Sequence, residues 1–97
     1  MAEHTKYFDW NEQKSKALKT EREIDFEDIL IAIDEGGLLD RIVHPNRASY
    51  PDQEIFVVLV YGYVYLVPFI EDDEKIFLKT IIPSRKATKN YLIQRKK

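Results

Sequence analysis

Apolar positions change their period along this chain. Phe26, Ile29, Leu30 and Ile33 recur at helical spacing, and Gly36-Gly37 closes the run. Asp25-Phe26-Glu27-Asp28 ahead of it reads as a capping box, with Asp25 as N-cap and Asp28 at N3. The preceding stretch, Asn11 to about Glu23, is polar and rich in Lys, Glu and Ala, with Asp9 or Asn11 as cap. Only Ala17 and Leu18 offer it an apolar contact, so it is predicted as a surface helix. From Glu54 the pattern turns to strands. Glu54–Val60 alternates two apolar faces, Tyr61-Gly62 suits a tight turn, and Tyr63–Ile70 returns. Pro68 lacks a ladder donor and belongs at a bulge or an unpaired position. Past the charged tip Glu71–Glu74, Lys75–Ile82 is predicted as one strand, with Ile76, Leu78, Thr80 and Ile82 on one face and Phe77, Lys79 and Ile81 on the other.

The remaining segments complete an order. Thr5–Trp10 is short and aromatic, an opening strand with Trp10 as core anchor. Leu38–Val43 is a further strand, and His44–Gln53, with two prolines, is a loop. Pro83 stops the last strand, and Ser84 caps a helix to about Ile93. The expected order is β-α-α-β-β-β-β-α. That is α+β, with two N-terminal helices packed on one face of a curved antiparallel sheet and the other face free to bind. A length of 97 residues suits one domain over 1–97.

Composition sharpens this in two ways. With no cysteine, disulfides, a thiol nucleophile and a Cys-based zinc site are excluded. The net charge of −2 hides a division along the chain. Residues 1–40 carry eleven acids against five bases, while residues 75–97 carry eight bases and no acid. Such asymmetry points to a nucleic-acid or acidic-protein contact at the C-terminal end. Met1–Lys6 lacks the apolar core of a signal peptide. The run Ile55–Ile70, broken by Gly62 and Pro68, is too short to span a membrane, so a cytoplasmic protein without membrane contact is expected.

Three stretches carry a resemblance: Phe8-Asp9-Trp10-Asn11 followed by Lys14; Phe26-Glu27-Asp28-Ile29; and Ile81-Ile82-Pro83-Ser84-Arg85-Lys86-Ala87-Thr88. In order and spacing they resemble the BrnT toxins of bacterial toxin–antitoxin pairs, within the wider RelE-like fold. The resemblance implies a small RNA endonuclease that inhibits translation. It also implies neutralisation by an antitoxin, commonly of ribbon-helix-helix type, with DNA reached only through that complex. Where relatives often show Lys-His after the first helix, this chain has Lys19-Thr20-Glu21-Arg22.

A ribonuclease without metal or other cofactor makes RNA attack itself. A base takes the 2′-OH proton, an acid protonates the leaving 5′ oxygen, and cations stabilise the phosphorane. Arg85, at the strand-to-helix junction, is the first choice as transition-state stabiliser, since guanidinium clamps phosphate in bidentate fashion. Lys79 and Lys86 bind backbone beside it, with Lys89 further along, and a helix N-terminus there would add N–H donors. An alternative for Arg85 is a structural tie to the acidic tip or the first helix. His44 is the proton-transfer candidate, in a loop with Arg47 and Tyr50 that could face substrate; a surface histidine is the alternative. Tyr91 could stack on a base, act as a weak acid, or pack its helix on the sheet. Tyr63 and Tyr65 share a face and are either a stacking platform or core. Glu71–Glu74 reads as a solubility device, and His4 as an exposed terminal residue. A non-catalytic RelE-like interaction or nucleic-acid-binding module is the alternative function.

Overall fold

The computed structural model describes residues 6–93. His4, Thr5 and the three final cations Arg95, Lys96 and Lys97 lie outside them. The elements are β1 (Tyr7–Trp10), α1 (Glu12–Arg22), α2 (Phe26–Asp34), β2 (Leu38–Val43), β3 (Glu54–Val60), β4 (Tyr63–Glu71), β5 (Lys75–Leu78), β6 (Ile82–Pro83) and α3 (Arg85–Thr88), which continues as a π-helical turn over Lys89–Ile93. The sheet runs β1-β5-β4-β3-β2, with β6 beside β4. All pairings are antiparallel except β1 with β5. No helix among the described residues is long and apolar enough to cross a membrane.

Local chemistry explains the helices. The Asn11 side chain accepts from the Lys14 amide, and Asp25 and Asp28 form the reciprocal capping box. Against expectation, Ala17 is exposed, and α1 buries Ser15 with Leu18. The Ser15 hydroxyl accepts from the Phe26 amide at 3.2 Å, so a polar residue joins α1 to α2 without an unpaired group. The main core lies between these helices and one sheet face. It holds Leu18, Ile24, Phe26, Ile29, Phe56, Val58, Val67, Phe69, Leu78 and Ile81, with Trp10 stacked on Phe26 at 5.8 Å.

The approach of α2 to β3 depends on Gly37. A Cβ there would lie 2.6 Å from the Leu59 carbonyl oxygen and 2.8 Å from that of Ala32. Both are backbone atoms, and the Gly37 backbone bonds to both residues at 2.7–2.8 Å. Gly37→Ala should therefore destabilise the fold by about 2–3 kcal/mol, read as a lower denaturation midpoint with an unchanged slope.

Two further expectations fail. The last strand is not continuous: after Leu78 the chain leaves the ladder and re-pairs only at Ile82. Pro68 sits where β4 passes from β5 to β6, and its carbonyl accepts from the Lys79 amide at 2.8 Å. The Arg22 guanidinium donates to the Ile81 carbonyl at 2.6 Å across the gap. The break changes the strand's phase, so Ile81 is fully buried beside Leu78 while Ile82 is 42% exposed. Nor is the second sheet face free. Ala87, Tyr91 and Leu92 pack there on Val57, Leu59, Val64 and Leu66.

Candidate nucleic-acid interface

The cationic segment is stitched to the start of β4. The Ser84 amide donates to the Val64 carbonyl at 3.0 Å, and the Val64 amide donates to Thr88 Oγ1 at 2.8 Å. Ser84 Oγ accepts from the Ala87 amide at 3.0 Å, as the sequence suggested. That bond occupies one donor expected for phosphate, and the Ser84 carbonyl takes the Thr88 amide. With only four α-helical residues the dipole is also small. Binding capacity here rests on side chains. Arg85, Lys86 and Lys89 are exposed and form no ion pair among the described residues. The Arg85 tie to the acidic tip or α1 is therefore absent among these residues.

Tyr91 is half-buried on the second cluster, and its hydroxyl donates to Asp40 Oδ2 at 2.9 Å. That bond, and then burial, raises the phenol's pKa and keeps it protonated. Tyr63 and Tyr65 lie on the opposite face from α3, edge to face at 5.6 Å, with Tyr65 against the main core.

His44 and Arg47 lie at the other end of the sheet. The His44 ring stacks on Tyr50 at 4.5 Å, and its Nδ1 accepts from the Asn46 amide at 3.0 Å. The ring's own proton is thereby assigned to Nε2, which suits a donor better than a base. Arg47 lines a cleft of about 390 Å³ together with Val43, Glu54, Ile70 and Glu71.

Beside this cleft is a network not anticipated from sequence. Lys6 pairs with Glu71 at 2.6 Å, Glu71 with Arg41 at 2.5 Å, and Arg41 with Glu54 at 2.6 Å. The Arg41 guanidinium also lies 5.1 Å from the Phe69 ring centroid, and Phe69 stacks on Phe56 at 3.8 Å. The hydrogen bond to Glu54, then that to Glu71, raises the Arg41 pKa. Glu71 is therefore a structural tether rather than part of the charged tip. Lys6, then Arg41, hold its carboxyl below the ordinary 4.5. A carboxylate lowered in this way stabilises the fold above its unfolded pKa, and the contribution disappears as pH falls through the folded one. Wild-type stability should thus decline below about pH 4.5, and Glu71→Gln should flatten that acid limb in denaturation curves taken across pH.

The site residues divide into groups. Ser84 is bonded to Val64, opposite Leu59, whereas His44 is bonded to Gln53 just ahead of Glu54. Arg85 and His44 are therefore separated by about 20 Å along β3, too far to serve one phosphate. Lys79 is level with Pro68 and Ile55, on the far side of β4 from His44. Among the described residues no group of three or more His, Asp or Glu could hold a metal ion.

This architecture, two helices on one face of a mostly antiparallel sheet and a short cationic helix on the other, is a BrnT-like α+β fold. One solved structure that it resembles is the Brucella abortus ribonuclease toxin BrnT, determined at 1.1 Å. The TM-score is 0.60 at 20% sequence identity, over 82% of this chain and 97% of that one. No family model matches the chain, and no curated protein matches it in sequence.

Proposed function

We propose that this chain is a toxin-type RNA endonuclease that works without a metal ion, inhibits translation, and is held in check by a type II antitoxin, commonly a ribbon-helix-helix protein. The observation that carries this reading is the fold shared with the Brucella ribonuclease toxin over 82% of this chain and 97% of that one. The cations of α3, which form no ion pair among the described residues, support it. The RNA 2′ oxygen bonds to the adjacent phosphorus as the bond to the 5′ oxygen breaks. The 2′ proton passes to a base, and the 5′ oxygen takes one from an acid. Arg85 stabilises the phosphorane charge, and Lys79, Lys86 and Lys89 hold the flanking backbone. Arg47 and His44 contact RNA at the far end of the sheet, where His44 Nε2 can donate. Tyr91 positions α3 through Asp40.

One observation favours a second reading. His44 is remote from Arg85 and the Tyr91 hydroxyl is bonded to Asp40, so Arg85 has neither proton-transfer candidate free beside it, as in a module that binds RNA and does not cut it. Induced expression separates the two. Growth arrest with RNA breakdown, relieved by a ribbon-helix-helix protein encoded beside this gene, is expected of the toxin. Purified chain should cut single-stranded RNA in chelator and leave DNA of the same sequence whole, since DNA lacks the 2′-OH. Normal growth and intact RNA at high soluble expression would reject the enzyme.

A further inference from the structure

We infer that the outer face of β5, with Tyr7 of β1, is a stacking seat for a base of single-stranded RNA, with Phe77 as the platform and Lys79 and Lys75 as the phosphate holders. The ligand class rests on the ribonuclease reading; the placement rests on the sheet. Lys75 and Phe77 alternate onto one face of β5, and Lys79, just past its end, brings its ammonium to the Phe77 ring. The register pairs Tyr7 with Lys75, Asp9 with Phe77, and Ile70 with Phe77, which puts Tyr7, Asp9 and Ile70 on that face too. It is the same face that α3 covers, but α3 and the π turn pack over β2, β3 and β4 and leave the β1–β5 edge outside their cluster. Phe77 belongs to neither hydrophobic cluster. It is half-buried, and Tyr7 is 55% exposed.

The charges around the ring suit an anion. The Lys79 and Lys75 ammonium groups both lie over the Phe77 ring, 5.6 and 5.8 Å from its centroid. Lys79 is exposed and has no ion pair among the described residues. Lys75 is tied to Asp9 at 3.3 Å, a part-exposed pair still open to solvent, which contributes little and which phosphate can displace. An aromatic ring flanked by cations on an open sheet edge is the arrangement by which sequence-tolerant single-strand binders take successive nucleotides. The segment Lys-Ile-Phe-Leu-Lys thus carries out the function that the sequence suggested for Tyr63 and Tyr65.

The test uses the full chain and a fluorescein-labelled ten-nucleotide RNA with 2′-O-methyl groups, which can bind and cannot be cut. Phe77→Ala should weaken binding about 5- to 100-fold, and Phe77→Trp should restore it. Lys79→Gln, at an exposed position, should lower the slope of log K against log salt by about 0.7. The same RNA annealed into a duplex should bind more weakly. Wild-type affinity in Phe77→Ala, a loss that Trp does not rescue, an unchanged salt slope, or no binding by the wild type each overturns the inference. Scission of unmodified RNA is scored separately. Cutting with Phe77→Ala bound as tightly as wild type removes the seat and keeps the ribonuclease. Phe77-dependent binding without cutting does the reverse.

Discussion

Arg85→Ala is expected to slow RNA scission by about 10²–10³-fold while leaving the melting temperature almost unchanged. The two halves of this prediction rest on different observations. Arg85 is exposed and makes no ion pair among the described residues, so its loss removes no packing and no buried charge. α3 is held instead by Ser84, Ala87 and Thr88, which the substitution does not touch. What disappears is the forked donor set that a phosphorane's oxygens would engage. Arg85→Lys keeps the charge and loses the fork, so it should recover only part of the rate. Single-turnover rates at saturating enzyme, with thermal melts of each variant, decide the matter. A variant that cuts as fast as wild type would move the stabilising cation elsewhere.

The second large effect concerns stability. Phe26→Ala should cost about 3–5 kcal/mol, a large share of the 5–15 kcal/mol typical of a small domain. Phe26 is fully buried, opens α2 and stacks on Trp10, and its amide bonds to Ser15 in α1. One ring thus fills the junction of β1, both helices and the sheet, where little can collapse into the gap. The melting point should fall on the order of 15–30 °C. Equilibrium denaturation would show it, and a loss below about 1 kcal/mol would mean that the junction repacks.

These two residues also show what could be read from the sequence. The capping box before Phe26 and the Ser84 cap before Arg85 are local signals, and both stand in the fold. The strands of the Val- and Tyr-rich run were legible for the same reason, their alternation being a property of neighbours. The break after Leu78 was not, because it is set by Pro68 of a neighbouring strand and Arg22 of α1. The seating of α3 on the sheet was hidden because only Ala87, Tyr91 and Leu92 carry it, too few to stand out among the surrounding cations. The ion-pair network is assembled from Lys6, Arg41, Glu54 and Glu71, which only folding brings together. In sequence the one hint is Arg41, a base inside an apolar strand segment.

The parallel pairing of β1 with β5 sets the order in which this chain can be assembled as it is made. β1 is made well before the strand it pairs with, since both longer helices and three strands lie between them in the chain. Until Leu78 has left the ribosome, Phe8 and Trp10 have no ladder to join, and such long-range pairing forms slowly. The next residues then close both sides in turn, Ile81 entering the main core and Ala87 the second. The cations of α3 are therefore translated with the segment that completes the fold. A nascent chain halted before Ile81 should present neither a finished core nor the cations of α3.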